Sequence, residues 1–135
     1  MPSIKPTVRI LIIDDDEDDF FITSEYLRQV QEYILQIEWC YRFNDAVQHM
    51  QQRAYDMYFV DYRLGAKTGL DFLKEAVRLG CEEPIVLLTG KGNKDLDIEA
   101  LQMGATDYLV KTELTSDKLE RCIRYSLERT AYLKA

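Results

Sequence analysis

The sequence predicts an α/β fold: five strands in one doubly wound parallel sheet, with helices on both faces. Three observations carry that expectation. Short apolar runs alternate along the whole chain with stretches whose apolar residues recur at helical spacing. The joints between them are short and marked by Gly, Pro, Asn or Asp, with no repeat, low-complexity tract or Pro/Ser-rich linker. The first run, Val8–Ile13, is apolar apart from Arg9, as suits a strand buried on both faces.

Taken in order, Val8–Ile13 is the first strand. From Asp18 to Tyr33, Phe20, Leu27, Val30 and Ile34 follow roughly helical spacing, and "ILQIEWCY" then reads as the second strand. Asn44 is placed to cap a short helix through Ala46, Val47 and Met50. "YDMYFVD" is the third strand, closed by Asp61. Gly69 precedes a helix with Leu70, Leu73 and Val77 on one face, ended by Gly80. Pro84 opens the fourth strand, "PIVLLT"; Asp95–Gln102 is a short helix stopped by Gly104; "DYLVK" is the fifth strand. Thr115, Ser116 or Asp117 caps a last helix running over about 115–133. Right-handed crossovers between parallel strands cover both faces of such a sheet.

Composition limits what this fold can serve. The chain has 135 residues, 47% of them hydrophobic, about right for a single domain, 1–135, with one substantial core. Its 24 acidic and 17 basic residues give a net charge of −7, which repels phosphate backbones and anionic membranes. Neither nucleic acid nor membrane is an expected partner. Cys40, Cys81 and Cys122 are odd in number and widely spaced, so they suggest neither a disulfide framework nor a zinc site. No apolar run reaches membrane-spanning length and the N-terminus lacks a signal-peptide centre, so the expectation is a soluble, cytoplasmic protein.

Ligands of open parallel sheets bind at the carboxyl ends of the strands. Asp14 and Asp15 end the first strand, Asp61 the third, Thr89 the fourth and Lys111 the fifth. In the flavodoxin-like order 2-1-3-4-5 the first and third strands are neighbours, and the three carboxylates converge. Asp16 suits the cap of the first helix, while Glu17, Asp18 and Asp19 fall in its first turn, where the macrodipole favours negative charge. Those four are read as structural. Asp14, Asp15 and Asp61 are not: two unit charges 4 Å apart repel by roughly 1 kcal/mol in water and roughly 4 kcal/mol at an effective dielectric of 20. The cluster needs a cation, and oxygen-only ligands describe magnesium, or manganese in its place, rather than zinc.

With these residues in hand, the chain resembles a response-regulator receiver domain of two-component phosphorelay signalling over nearly its whole length. "ILIIDDD" resembles that family's acidic pair, "FVDYRLGAKTGLDFL" its phosphoacceptor segment, "PIVLLTG" its threonine strand and "GATDYLVK" its aromatic-x-x-lysine strand. The resemblance implies that Asp61 accepts a phosphoryl group from a phosphohistidine on a histidine kinase or a histidine phosphotransfer protein. It implies that Asp15, with Asp14 acting through water, holds magnesium together with Asp61 and the main-chain carbonyl of Arg63. Lys111 and the Thr89 hydroxyl then bind phosphoryl oxygens, and Tyr108 is the aromatic that changes rotamer on activation. Such a protein is a signalling receiver that assists its own phosphorylation and dephosphorylation, not a turnover enzyme. Alone, Lys111 would be a surface lysine, Thr89 a turn residue and Tyr108 one of nine tyrosines; the ensemble raises them above that.

The chain departs from the family pattern at two places, and two further residues fall where the family varies. Gly65 stands where many receivers carry proline, which is expected to loosen the loop after Asp61; Thr112 replaces a proline after Lys111; Arg63 and Lys91 border the acyl phosphate at variable positions. "TGKGN" lacks P-loop spacing and is read as a mobile turn, and His49 as a surface or partly buried imidazole. Two rival classes share features. Asp14-x-Asp16 resembles the haloacid-dehalogenase phosphatase motif, but Asp18 stands in the place of its usual Thr or Val. A flavodoxin-like electron carrier would need a Ser/Thr/Gly-rich phosphate loop. A receiver acting as a phosphorylation-independent module is a third reading, opposed by the intact residue set. On the last helix, Leu119, Ile123, Ser126, Thr130 and Leu133 repeat at heptad-like spacing, so Tyr125–Leu133 is expected to meet a second protomer, another partner or a downstream output domain.

Overall fold

Ile10 and Ile12 face one side of the first strand while Leu11 and Ile13 face the other, and all four are fully buried. That double burial organises the computed structural model, which describes residues 4–90 and 94–134. The order is β1 (Thr7–Ile13), α1 (Glu17–Arg28), β2 (Ile34–Cys40), α2 (Phe43–Gln52), β3 (Met57–Asp61), β4 (Arg63–Leu64), β5 (Lys67–Thr68), α3 (Gly69–Arg78), β6 (Ile85–Thr89), α4 (Lys94–Gln102), β7 (Asp107–Val110), a 3-10 turn (Lys111–Glu113) and α5 (Ser116–Lys134). The five long strands form one parallel sheet in the order β2-β1-β3-β6-β7, which is the expected 2-1-3-4-5 when the short hairpin β4-β5 is set aside. Leu11, Ile13, Tyr58 and Val60 meet α2, α3 and α4 through Met50, Phe72, Leu73 and Ala100. On the opposite face Ile10, Ile12, Phe59 and Val86 meet α1 and α5 through Leu27, Leu119 and Ile123. No helix among the described residues is long and apolar enough to cross a membrane.

Several local expectations are corrected. Helix α1 stops at Arg28, because Gln29 folds back onto the carbonyls of Tyr26 and Leu27, and Val30 is buried as a loop residue, while Ile34 opens β2 as the second-strand reading had it. Asn44 caps nothing: α2 starts at Phe43 after Arg42, which makes no side-chain cap. Thr68 caps α3 in a reciprocal pair with Asp71, so Gly69 is the helix's first residue, and Val77 is exposed while Phe72 and Ala76 complete the buried face. Of the three candidate caps of α5, Thr115 accepts the Lys118 N–H at 3.1 Å. His49 is partly buried, edge-on to Tyr55 at 5.8 Å. The readings of Lys91 and of the turn over 91–93 lie outside the described residues.

Candidate functional site

Register decides what meets at the carboxyl edge. Ile13 pairs with Val60, so Asp14 and Asp61, the next residue of each strand, come side by side. The Asp14 N–H donates to the Cys40 carbonyl at 3.0 Å, and its carbonyl accepts the Trp39 indole N–H at 2.8 Å, which fixes the backbone just beyond β1. Side-chain oxygens of Asp14, Asp15 and Asp61 lie within 4.8 Å of one another. Lys111, directly after β7, projects its ammonium into this group: Nζ is 2.9 Å from Asp14, 3.0 Å from Asp61 and 2.9 Å from Asp19.

The electrostatics follow from burial. The Asp14 side chain is fully buried, and burial pushes its pKa up to about 6 against the opposing pull of the Asp16 N–H and of Lys111, with the Asp61 charge adding to the rise. Burial likewise raises Asp61; Lys111 opposes the shift, and the charges of Asp15 and Asp19 add to it. For Lys111 burial acts downward, but its hydrogen bonds to Asp19, Asp14 and Asp61 outweigh it and hold the ammonium above the ordinary lysine value. One ammonium thus faces more negative charge than it balances. Three hard oxygen donors around a shared centre suit a small divalent cation such as magnesium.

Of the remaining expected residues, Thr89 lies at the same edge, Arg63 just beyond it and Tyr108 two positions back from it in the sheet. Thr89 is the buried last residue of β6, one position beyond the Leu88 that pairs with Asp61. Tyr108 pairs with Leu87 in β7, so the period-two alternation of strands puts Tyr108 and Thr89 on one face of the sheet. The Arg63 main chain lies two residues beyond Asp61 in β4, paired with Thr68.

Three contributions escaped the sequence reading. Asp19, read there as serving only the helix dipole, is the third residue of α1 after its cap Asp16, and helical side chains tilt toward the N-terminus, here toward Lys111. Gly65 also holds a site residue: with φ at +65° it closes the β4-β5 hairpin, and its N–H donates to Asp15 Oδ2 at 3.0 Å, a bond no proline can make. Gly69 permits close packing under the site, since a Cβ there would sit 2.8 Å from the Asp61 carbonyl oxygen.

A profile of the response regulator receiver domain matches residues 10–124, and the chain belongs to that family. Among curated proteins it is similar to the transcriptional regulatory protein ZraR of Salmonella typhimurium, 29% identical over 127 residues that make up 94% of this chain and 28% of that protein. It is also similar to the regulatory protein LuxO of Vibrio cholerae, 31% identical over 90 residues, 67% of this chain and 20% of that protein. The chain therefore spans less than a third of these relatives. Among solved structures, the signal receiver domain of a putative LuxO repressor protein from Vibrio parahaemolyticus superposes with a TM-score of 0.82 at 22% identity, covering 97% of this chain and 96% of that one. A CheY-like receiver domain protein from Methanospirillum hungatei gives 0.75 at 22% identity, with 96% and 98% covered. The chain is a receiver domain of two-component signalling, and its acidic pocket of Asp14, Asp15 and Asp61 fits a phosphorylation site.

Proposed function

We propose that Asp61 is the phosphoacceptor of a receiver that takes its phosphoryl group from a phosphohistidine on a histidine kinase or a histidine phosphotransfer protein. The observation that carries this reading is the convergence of three carboxylates and one ammonium at the end of β1 and β3. An Asp61 carboxylate oxygen attacks phosphorus, the P–N bond breaks, and its electron pair returns to the partner's imidazole, which takes up a proton. Phosphoryl transfer demands positioning and charge stabilisation more than covalent help. Lys111 supplies a fixed positive charge beside the developing oxyanions, and the Thr89 hydroxyl donates to one of them. Magnesium or manganese held by Asp15, Asp61, the Arg63 main-chain carbonyl and, through water, Asp14 would neutralise phosphoryl and carboxylate charge together.

Readout follows from the shared sheet face. Drawing the Thr89 hydroxyl toward a phosphoryl oxygen leaves space into which Tyr108 rotates, shifting the population of two packings of the α4-β7-α5 face. On α5, Ser126 is buried while Tyr125, Tyr132 and Leu133 are exposed, so the last turns offer apolar surface to a second copy, a partner protein or an output domain. The domain would work in the cytoplasm as a signalling receiver rather than a turnover enzyme, with no direct contact of its own to nucleic acid or membrane. The test is incubation with magnesium and acetyl phosphate: one acid-labile, hydroxylamine-sensitive phosphoryl group is expected, and none in Asp61→Ala. Equal labelling of that variant would remove Asp61 from the role.

A further inference from the structure

An ammonium has three N–H donors and no acceptor. Lys111 spends them on three carboxylates, Asp14 at 2.9 Å, Asp19 at 2.9 Å and Asp61 at 3.0 Å. A phosphoryl group on Asp61 brings further charge and acceptor oxygens to the same place. Transfer turns the Asp61 carboxylate into an acyl phosphate and frees the donor it held, so Lys111 can turn a second donor to the phosphoryl dianion only if Asp14 or Asp19 lets go, and these two differ. The Asp14 side chain has no solvent exposure, so depriving it of its cation strands a charge in a poorly solvated place. The Asp19 side chain is 41% exposed, and water takes over its solvation at little cost.

We propose that Asp19 is the exchangeable partner of Lys111: a positioning residue that holds the ammonium at the strand edge before transfer and yields it to the phosphoryl oxygens afterwards. The inference rests on the reading of Asp61 as phosphoacceptor. Because Asp19 competes with the phosphoryl group for one ammonium, it lowers the affinity of the site for that group. It thereby gives the first turn of α1 a part in setting how far the domain is switched on. Its neighbour Asp18 carries the same charge in the same turn but is exposed and makes no ion pair among the described residues, so it separates the contact from the field.

The experiment is calorimetric titration of the full chain with beryllofluoride, an acyl-phosphate mimic, at saturating magnesium, with magnesium affinity measured separately. Asp19→Asn is expected to bind the mimic on the order of fivefold more tightly than the native chain, without any gain in magnesium affinity. Asp19→Glu, which keeps the carboxylate, is expected to stay near native, and so is Asp18→Asn. Unchanged or weaker binding by Asp19→Asn overturns the proposal, as does an equal gain in Asp18→Asn or in Asp19→Glu. Should the folded native chain take up no mimic, the reading of Asp61 falls and this inference falls with it. If it does take up the mimic and Asp19→Asn does not differ, only the exchange is wrong.

Discussion

Two pairs of aspartates share one edge of the sheet, and they are held in opposite ways. Asp14 and Asp61 come from strand ends and are buried; Asp15 and Asp19 come from a loop and a helical turn and are partly or largely exposed. The buried pair is placed by the β1-β3 register and depends on Lys111, since burial disfavours both charges. The exposed pair is placed by single contacts, Gly65 N–H to Asp15 and Lys111 to Asp19. The difference teaches a division of labour: register builds a buried floor of carboxylates, and local turns add exposed ones whose charge water can solvate.

The sharpest way to break this comparison is Lys111→Met. It leaves two buried carboxylates without their cation and is expected to cost about 3 kcal/mol in chelator, partly restored by magnesium; urea unfolding measures it, and a loss below about 1 kcal/mol would mean the buried pair does not depend on the lysine. Next is Gly69→Ala, whose Cβ would lie 2.4 Å from Leu87 Cδ1 and 2.8 Å from the Asp61 carbonyl oxygen. About 2 kcal/mol of destabilisation is expected where a Gly-to-Ala change at a compatible site would stabilise. A stabilised variant would contradict the close packing under Asp61.

Magnesium itself should stabilise the native chain by about 1.4 kcal/mol when free metal is ten times its dissociation constant. Asp61→Asn should raise metal-free stability and lose most of that gain, and melting temperatures indifferent to both changes would argue against mutual repulsion in the cluster. Gly65→Ala, forced into the left-handed region at φ +65°, should cost about 1 kcal/mol and weaken magnesium binding by freeing Asp15. The smallest effect belongs to Asp15→Asn: stability within about 0.5 kcal/mol of native, with weaker magnesium affinity. A large stability loss there would erase the distinction between the pairs.

The sheet was legible because each buried strand is an apolar run bounded by turn residues, and because Asp14, Asp61, Thr89 and Lys111 sit where such runs end. Periodicity misled where burial did not mean helix: Val30 is buried after α1 has ended, and Val77 has helical spacing yet is exposed. The small hairpin β4-β5 left no trace, since two-residue strands have no period to read. Asp19 was hidden by a sound argument, as an acidic first turn already has a sufficient cause in the helix dipole, and only side-chain direction distinguishes it from Asp18.

The most direct test of the division between the two pairs is to locate the phosphoryl group chemically. After reaction with acetyl phosphate and magnesium, borohydride reduction converts an aspartyl phosphate to homoserine, which peptide mass spectrometry places in the sequence. Homoserine is expected at residue 61, dependent on magnesium, with Asp14, Asp15 and Asp19 unmodified. Homoserine at any of those three, or none at 61 in a folded chain that has taken up phosphoryl, would contradict it.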